Sequence, residues 1–254
     1  MDDVKAGRRF LKTEAWRKFG TPELQTDQGR GLPRAPAQKP YPEGSTLVDL
    51  CDPEKLTVGN MPVREAIGRR RSRRSYTADS LSLEELSFLL WATQGVRQAA
   101  QLSEGVATTR TVPSGGSLHT FETYLLIDRV DGVEHGLYRY LPLEHKLLFL
   151  RADPEMPRVV SDACRGQNFV GQAAAVFMWT TNPYRMEWRY SIVSHKIIAL
   201  DAGHLCQNLY LAAESIGAGT CAIGAYFQDE MDGFLGVDGE DEFTIYVAPV
   251  GKVG

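Results

Sequence analysis

Thirty residues organise the chain: Ile197 to Tyr226, I-I-A-L-D-A-G-H-L-C-Q-N-L-Y-L-A-A-E-S-I-G-A-G-T-C-A-I-G-A-Y. The first twenty read as one helix, apolar or small nearly all round, and a helix without a wet face is normally buried in a large core or an interface. Asp201, His204 and Asn208 fall at i, i+3 and i+7, a narrow polar stripe with Gln207 beside it. His204 on such a helix is expected to be a satisfied core histidine rather than a catalyst. Gly217 suits the left-handed residue that closes a helix. Glycines at 217, 219 and 224 then let backbone approach another group closely. A buried helix delivering such a loop is suited to holding a flat ligand. A core helix with a tight turn into a strand explains the same residues.

At 254 residues, with 43% hydrophobic and 24% charged residues, the composition is that of an ordinary globular protein with room for a sizeable core. A net charge of -4 argues against a general nucleic-acid binder. Cys51, Cys164, Cys206 and Cys221 have no C-x-x-C spacing, so neither a disulfide framework nor a zinc site is expected. The five histidines make no metal-like pair, and no metal is expected. The start, M-D-D-V-K-A-G-R-R-F, has no apolar signal region, and no run reaches the roughly 18 apolar residues of a membrane span. The expectation is a cytoplasmic protein with no membrane or nucleic-acid partner.

Residues 1–45 differ in character from the rest of the chain. Through Pro40 they hold nine Lys/Arg against five Asp/Glu, with Pro33, Pro36, Pro40 and Pro42 in a polar run. An extended arm is expected there, with Leu11, Trp16 and Phe19 able to anchor a short helix on the body, residues 46–254. P-V-R-E-A-I-G-R-R-R from Pro62 is a short helix. Ser82 and Glu85 form a capping box for a helix that turns Leu86, Leu89, Leu90 and Trp91 inward. Residues 95–112 read as loop. Phe121–Asp128 reads as a strand, G-L-Y-R-Y and H-K-L-L-F-L as a hairpin, and about 155–171 as a helix. A-A-A-V-F-M-W-T-T is a buried strand by its continuous apolar run. Residues 229–242, with seven acids and no base, read as a solvated loop. F-T-I-Y-V-A-P-V-G-K is a last strand. Helices and strands mix without a regular βαβ rhythm, which favours an α+β sheet.

Six arginines lie between Arg64 and Arg74 against the single acid Glu65. Positions 70, 71 and 74 are spaced to clamp one phosphate with rigid guanidinium forks, and Ser72 adds a hydroxyl. A solvated basic helix end is the alternative. P-S-G-G-S at 113–117 is a second ligand-loop candidate or a plain loop before a strand. There is no G-x-G-x-x-G, P-loop, H-E-x-x-H or G-x-S-x-G motif, which argues against a Rossmann site, nucleotide hydrolysis, a zincin and an α/β-hydrolase.

The order of the pieces carries a family resemblance. R-R-S-R-R-S-Y, L-L-W-A-T-Q-G, R-T-V-P-S-G-G, G-L-Y-R-Y, D-A-G-H-L-C-Q-N-L-Y-L-A-A, G-A-G-T-C-A-I-G-A-Y and terminal P-V-G-K resemble the nitroreductase-like FMN enzymes over about residues 60–252. More narrowly they resemble the SagB-type branch, related to dehydrogenases that oxidise azolines in ribosomal peptides. The resemblance implies an α+β fold, a mixed, mainly antiparallel sheet packed by helices in an intertwined homodimer, with FMN at two interface sites. It implies an FMN-dependent oxidoreductase acting on a small-molecule or peptide substrate, with NADH or NADPH as candidate reductant. Arg70, Arg71, Ser72 and Arg74 match the segment that holds the phosphate, ribityl chain and one ring edge. Pro113, Ser114, Gly115 and Ser117 match the loop that reaches the flavin from the partner subunit, with Ser117 standing where the family's P-S-x-x-N loop has asparagine. Ile223, Gly224 and Ala225 match the turn whose backbone N–H faces flavin N5, and Lys252 matches a terminal basic residue near the phosphate. No catalytic triad is needed, because the flavin supplies the redox chemistry.

Arg189–Tyr190 occupies the place where azoline-dehydrogenase relatives carry a Lys-Tyr pair proposed to move the substrate's proton. Arginine effectively never loses its proton, so Arg189 orients a polar substrate but is a poor general base, while Tyr190 can still donate a proton. The expectation is flavin reduction and electron transfer to small acceptors, with little azoline oxidation. A peptide azoline dehydrogenase working with a cyclodehydratase, and a non-catalytic flavin-binding protein, are the alternatives.

Overall fold

The computed structural model describes residues 2–254. In chain order the elements are α1 (Asp2–Phe10), β1 (Leu47–Asp49), α2 (Val63–Arg69), α3 (Leu83–Gln94) and the hairpin of β2 (Val96–Leu102) and β3 (Gly105–Arg110). Then come β4 (Phe121–Ile127), β5 (Gly136–Leu141), β6 (Lys146–Arg151), α4 (Met156–Ala163) and β7 (Ala175–Thr181). The chain ends with α5 (Tyr184–Tyr190), α6 (Ser194–Ser215), β8 (Ala218–Thr220), α7 (Gln228–Leu235) and β9 (Phe243–Lys252).

Seven strands form one sheet in the order β1-β6-β5-β4-β7-β9-β8, and every neighbouring pair is antiparallel. The central strands β4 and β7 are buried at every position. Both of their faces are covered, so their sequences run apolar without alternation. Leu86, Leu89 and Leu90 of α3 and Ile198, Leu205 and Leu209 of α6 pack on one face. Met156 and Val160 of α4 and Met231 and Phe234 of α7 pack on the other. The expected α+β class with a mainly antiparallel sheet is the one observed. Among the described residues no helix is long and apolar enough to cross a membrane.

The α3 capping box is complete: Glu85 N–H donates to Ser82 Oγ at 3.1 Å, and Ser82 N–H donates to Glu85 Oε2 at 2.9 Å. Trp91 of that helix is only half buried.

Five expectations change. The arm is not extended throughout: residues 2–10 are helical, with Asp2 and Asp3 in the first turn and Arg8 and Arg9 in the last, charges that complement the helix dipole. Residues 95–112 are largely the β2–β3 hairpin. Its outer strand is exposed at nearly every position, so no apolar alternation marks it in the sequence. The helix expected over 155–171 stops at Ala163, because Arg165 and Gly166 take left-handed backbone. The acidic stretch 229–242 contains α7, and its Asp232 and Glu242 are buried. Asp232 accepts from Thr244 N–H at 2.6 Å, and Glu242 accepts from the Tyr124 and Thr180 hydroxyls at 3.0 and 2.7 Å. His204 is exposed, its side chain half open to solvent and 3.7 Å from Asp201. The face of α6 that carries it is not covered by its own chain.

Candidate functional site

The arginine segment leaves α2 at Arg70 and continues extended beside β8. Ser72 bridges Thr220 in parallel, and Arg73 N–H donates to the Thr220 carbonyl at 2.9 Å. This alternation turns Arg73 beneath Gly219, where an added Cβ would meet Arg73 Cγ at 2.4 Å. The close approach that Gly219 permits is therefore to Arg73 of the same chain. Arg71, Ser72 and Arg74 are exposed. Among the described residues, Arg70, Arg71 and Arg74 form no ion pair. Arg70 lies 5.3 Å over the Tyr210 ring, a cation–π contact.

Tyr210 of α6 ties this region together and carries no signal in the sequence beyond its place on the helix. Its hydroxyl accepts from Ala222 N–H at 2.8 Å and lies 3.1 Å from Ser72 Oγ. It therefore fixes the 222–225 turn against the arginine segment. Ile223 N–H donates to the Val247 carbonyl at 2.7 Å and is occupied inside the chain. Gly224 and Ala225 are exposed, and a Cβ on Gly224 would meet no atom within 4 Å. Of the three turn residues, only these two present backbone outward. Lys252 ends β9 close by, with its carbonyl accepting from Thr77 N–H at 2.9 Å. Its ammonium, however, is ion-paired to Glu85 and donates to the Ile216 carbonyl at 2.9 Å. The resemblance aims Lys252 at a phosphate; in this chain it points at its own neighbours.

The second group lies on the N-terminal half of α6. Asp201, buried there, accepts from Gly115 N–H at 3.0 Å and pins the P-S-G-G-S loop. Burial raises the Asp201 carboxyl above the ordinary range, while bonds from Ser114 and Gly115 and the charge of His204 pull it back down. Ser114 Oγ accepts from His119 N–H at 3.0 Å, and Ser117 Oγ donates to the Thr108 carbonyl at 2.9 Å. Two of the loop's hydroxyls are thus spent on its own shape. Gly116 has φ +60°, and a Cβ there would stand 2.8 Å from the Tyr190 hydroxyl. Pro113 and Gly116 are exposed at the tip. His119 is buried beside Arg110, and burial followed by that charge pushes its pKa down to about 3, so its ring is neutral at pH 7. The thiol of Cys206 is pushed up to about 12 by burial and is no nucleophile.

Tyr190 is the last residue of α5, and Arg189 stands exposed with its guanidinium 5.6 Å over the Tyr190 ring. The expected site residues therefore form two groups. Arg70, Arg71, Ser72, Arg74 and the 223–225 turn meet near Tyr210, while Pro113–Ser117 meets Tyr190, with Arg189 over its ring, near Asp201. Asp201 and Tyr210 are nine positions apart on one straight helix, roughly 14 Å. Within one chain that length of α6 lies between the two groups.

Residues 67–252 match the nitroreductase family. A candidate nitroreductase of Methanocaldococcus jannaschii is 30% identical over 210 residues, covering 82% of this chain and 98% of that protein. The trifolitoxin-processing protein TfxB of Rhizobium leguminosarum bv. trifolii is 27% identical over 148 residues, covering 55% of this chain and 39% of TfxB. The crystal structure of a candidate nitroreductase from Anabaena variabilis superposes with a TM-score of 0.66 at 25% identity. It covers 84% of this chain, which spans 42% of the Anabaena chain. With the match spanning most of the chain and the sheet and helices in place, the protein belongs to the nitroreductase family of oxidoreductases.

Proposed function

We propose that the protein is an FMN-dependent oxidoreductase whose flavin sites are each built from two protomers. The observation that carries this is the donor set around Tyr210. Three arginines without acidic partners, a serine hydroxyl and an open glycine turn suit a group that is anionic at one end and flat at the other. Gly224 leaves open space beside the turn, room that such a ligand would use. FMN, when bound, supplies two-electron redox chemistry. Arg70, Arg71 and Arg74 would hold the phosphate, and Ser72 would donate to the ribityl chain. The Gly224 or Ala225 N–H would donate to the ring edge. Pro113–Ser117 of the partner protomer would close the other side, held in shape by Asp201. Tyr190 would keep a proton at its hydroxyl oxygen for the substrate.

With a nitroaromatic acceptor the balance is R–NO2 + NADH + H+ → R–NO + NAD+ + H2O, and Tyr190 is the proposed source of one proton. The test is direct: the purified protein should be yellow, release FMN on denaturation, and oxidise NADH or NADPH in the presence of nitrofurazone. Protein that binds no flavin when offered FMN would refute it and leave a scaffold without turnover.

A second reading, peptide azoline dehydrogenation, is favoured by the placing of Arg189–Tyr190 beside the Gly116 loop and by the likeness to TfxB. Azoline oxidation needs a base to remove a carbon-bound proton, and Arg189 cannot serve as one. The expected outcome is little loss of two hydrogens from a thiazoline peptide by mass spectrometry, with a gain on Arg189→Lys. Robust oxidation by the native protein would place this reading first.

A further inference from the structure

The part of the arm before Gly20 reaches Tyr190. The Tyr190 ring centroid lies 5.9 Å from Trp16 at 60° and 5.9 Å from Phe19 at 36°, and Trp16 and Phe19 are themselves 5.0 Å apart. These centroid separations lie within the range of interacting aromatic pairs. At its far end the Tyr190 hydroxyl faces Gly116, where even a methyl group would stand within 2.8 Å. Tyr190 thus meets the arm with its ring and lies against the loop with its hydroxyl.

Tyr190 closes α5, and the next residue, Ser191, has φ +47°, a left-handed conformation unusual for serine. The ring packs in part on the main core and under the Arg189 guanidinium, and the arm covers it from a further side.

The arm is attached very differently along its length. Residues 27–40 are fastened to the body: Gln28 N–H donates to the Trp188 carbonyl at 2.8 Å, and Trp188 Nε1–H to the Leu32 carbonyl at 2.8 Å. Arg110 donates to the Ala37 carbonyl at 2.9 Å, and Arg139 to the Lys39 and Pro40 carbonyls at 3.0 Å. Before Gly20, which turns the chain at φ +76°, the direct polar tie to the body among the described residues is Lys196 Nζ to the Leu11 carbonyl at 2.5 Å. Trp16 and Phe19 sit on the lightly attached side, where both rings meet Tyr190 and Trp16 also borders Ile192 and Val193.

We propose that Trp16 and Phe19 are positioning residues of the active site: the arm clamps the Tyr190 ring and keeps its hydroxyl at the Gly116 loop. Residues 2–20 are then a cap contributed in cis to the substrate side. This rests on Tyr190 acting as the proton donor proposed above, and the experiment separates the two.

The protein is labelled with 3-fluorotyrosine, and the Tyr190 19F resonance is assigned by its absence in Tyr190→Phe. In the flavin-loaded wild type without substrate this resonance should be single and sharp. In Trp16→Ala/Phe19→Ala it should shift and broaden, and Trp16→Phe should restore it. With nitrofurazone and NADH, the double variant should lose about ten- to a hundred-fold in kcat, with KM changed far less, since misplacing a reacting group costs on that order. Trp16 is 40% exposed, so the double variant is expected to fold, and an unchanged melting transition checks it. An unmoved Tyr190 resonance in the double variant, or a moved one with kcat intact, overturns the clamp. Wild-type kcat in Tyr190→Phe overturns instead the donor role on which the clamp rests.

Discussion

At the scale of single residues, the arginine segment divides by direction. Because Ser72 pairs with Thr220, Arg73 turns inward under Gly219 and becomes packing, while Arg71 and Arg74 stay in solvent and Arg70 lies over Tyr210. Each charge-assisted bond to a phosphate is worth on the order of 1.5–3 kcal/mol. Replacing Arg70 or Arg74 by Ala is expected to weaken FMN binding about ten- to a hundred-fold, read by flavin fluorescence titration. Arg73→Ala instead should lower the melting temperature, because it empties the space beneath Gly219. Full flavin retention in Arg70→Ala/Arg74→Ala would take the cluster out of the site. The motif is legible in the sequence as a cluster, but which arginine faces inward is not, since direction depends on a pairing with residues almost 150 positions later. Lys252 shows the same limit. Its place at the end of the last strand is readable, and its pairing with Glu85 is not.

At the scale of elements, α6 is legible because an apolar helix of that length is its own signal, and Gly217 closes it at φ +67° as its position suggests. The β2–β3 hairpin is invisible in the sequence because it is held by its ladder rather than by a buried face. The acidic stretch with α7 is hidden because Asp232 is buried on the Thr244 N–H and Glu242 on the hydroxyls of Tyr124 and Thr180, partners that the local sequence does not show. The loop 113–119 yields a prediction that no sequence pattern supplies. His119 is held neutral by burial at a pKa of about 3 against an ordinary 6.5. Between those values the unfolded chain binds a proton that the folded chain does not, so stability is lost as pH falls, by up to about 1.4 kcal/mol per unit. Urea unfolding at pH 7 and pH 5 should show the wild type losing about 2 kcal/mol more than His119→Asn does. Asparagine is the replacement to use because position 119 has φ +47°, which it tolerates. Equal losses in the two proteins would show that His119 takes up its proton in the fold.

At the scale of the whole molecule, two observations meet. The flavin-binding candidates sit on opposite halves of α6, and that helix leaves one side bare. Leu200 is 54% exposed, Gly203 would admit a Cβ without contact, and Val63 and Ile67 of the neighbouring α2 are 66% and 60% exposed. A groove of about 390 Å³ between α2, α3 and α6, lined by Met61, Phe88, Trp91 and Leu211 among others, continues the same face. Large apolar side chains on one continuous side mark an interface more readily than a finished surface. A second copy of the chain, related by a two-fold axis, would cover that face and bring the Pro113–Ser117 end of one α6 to the Arg70–Tyr210 end of the other. The expectation is an obligate dimer with an interface above roughly 2,000 Å² and one flavin per chain. Sedimentation at micromolar concentration should give a dimer for the wild type. Leu200→Glu should give a folded monomer that has lost its flavin, because each site then lacks its second half. A wild-type monomer that keeps FMN bound would mean that one chain completes the site alone, and the two-protomer arrangement would have to be abandoned.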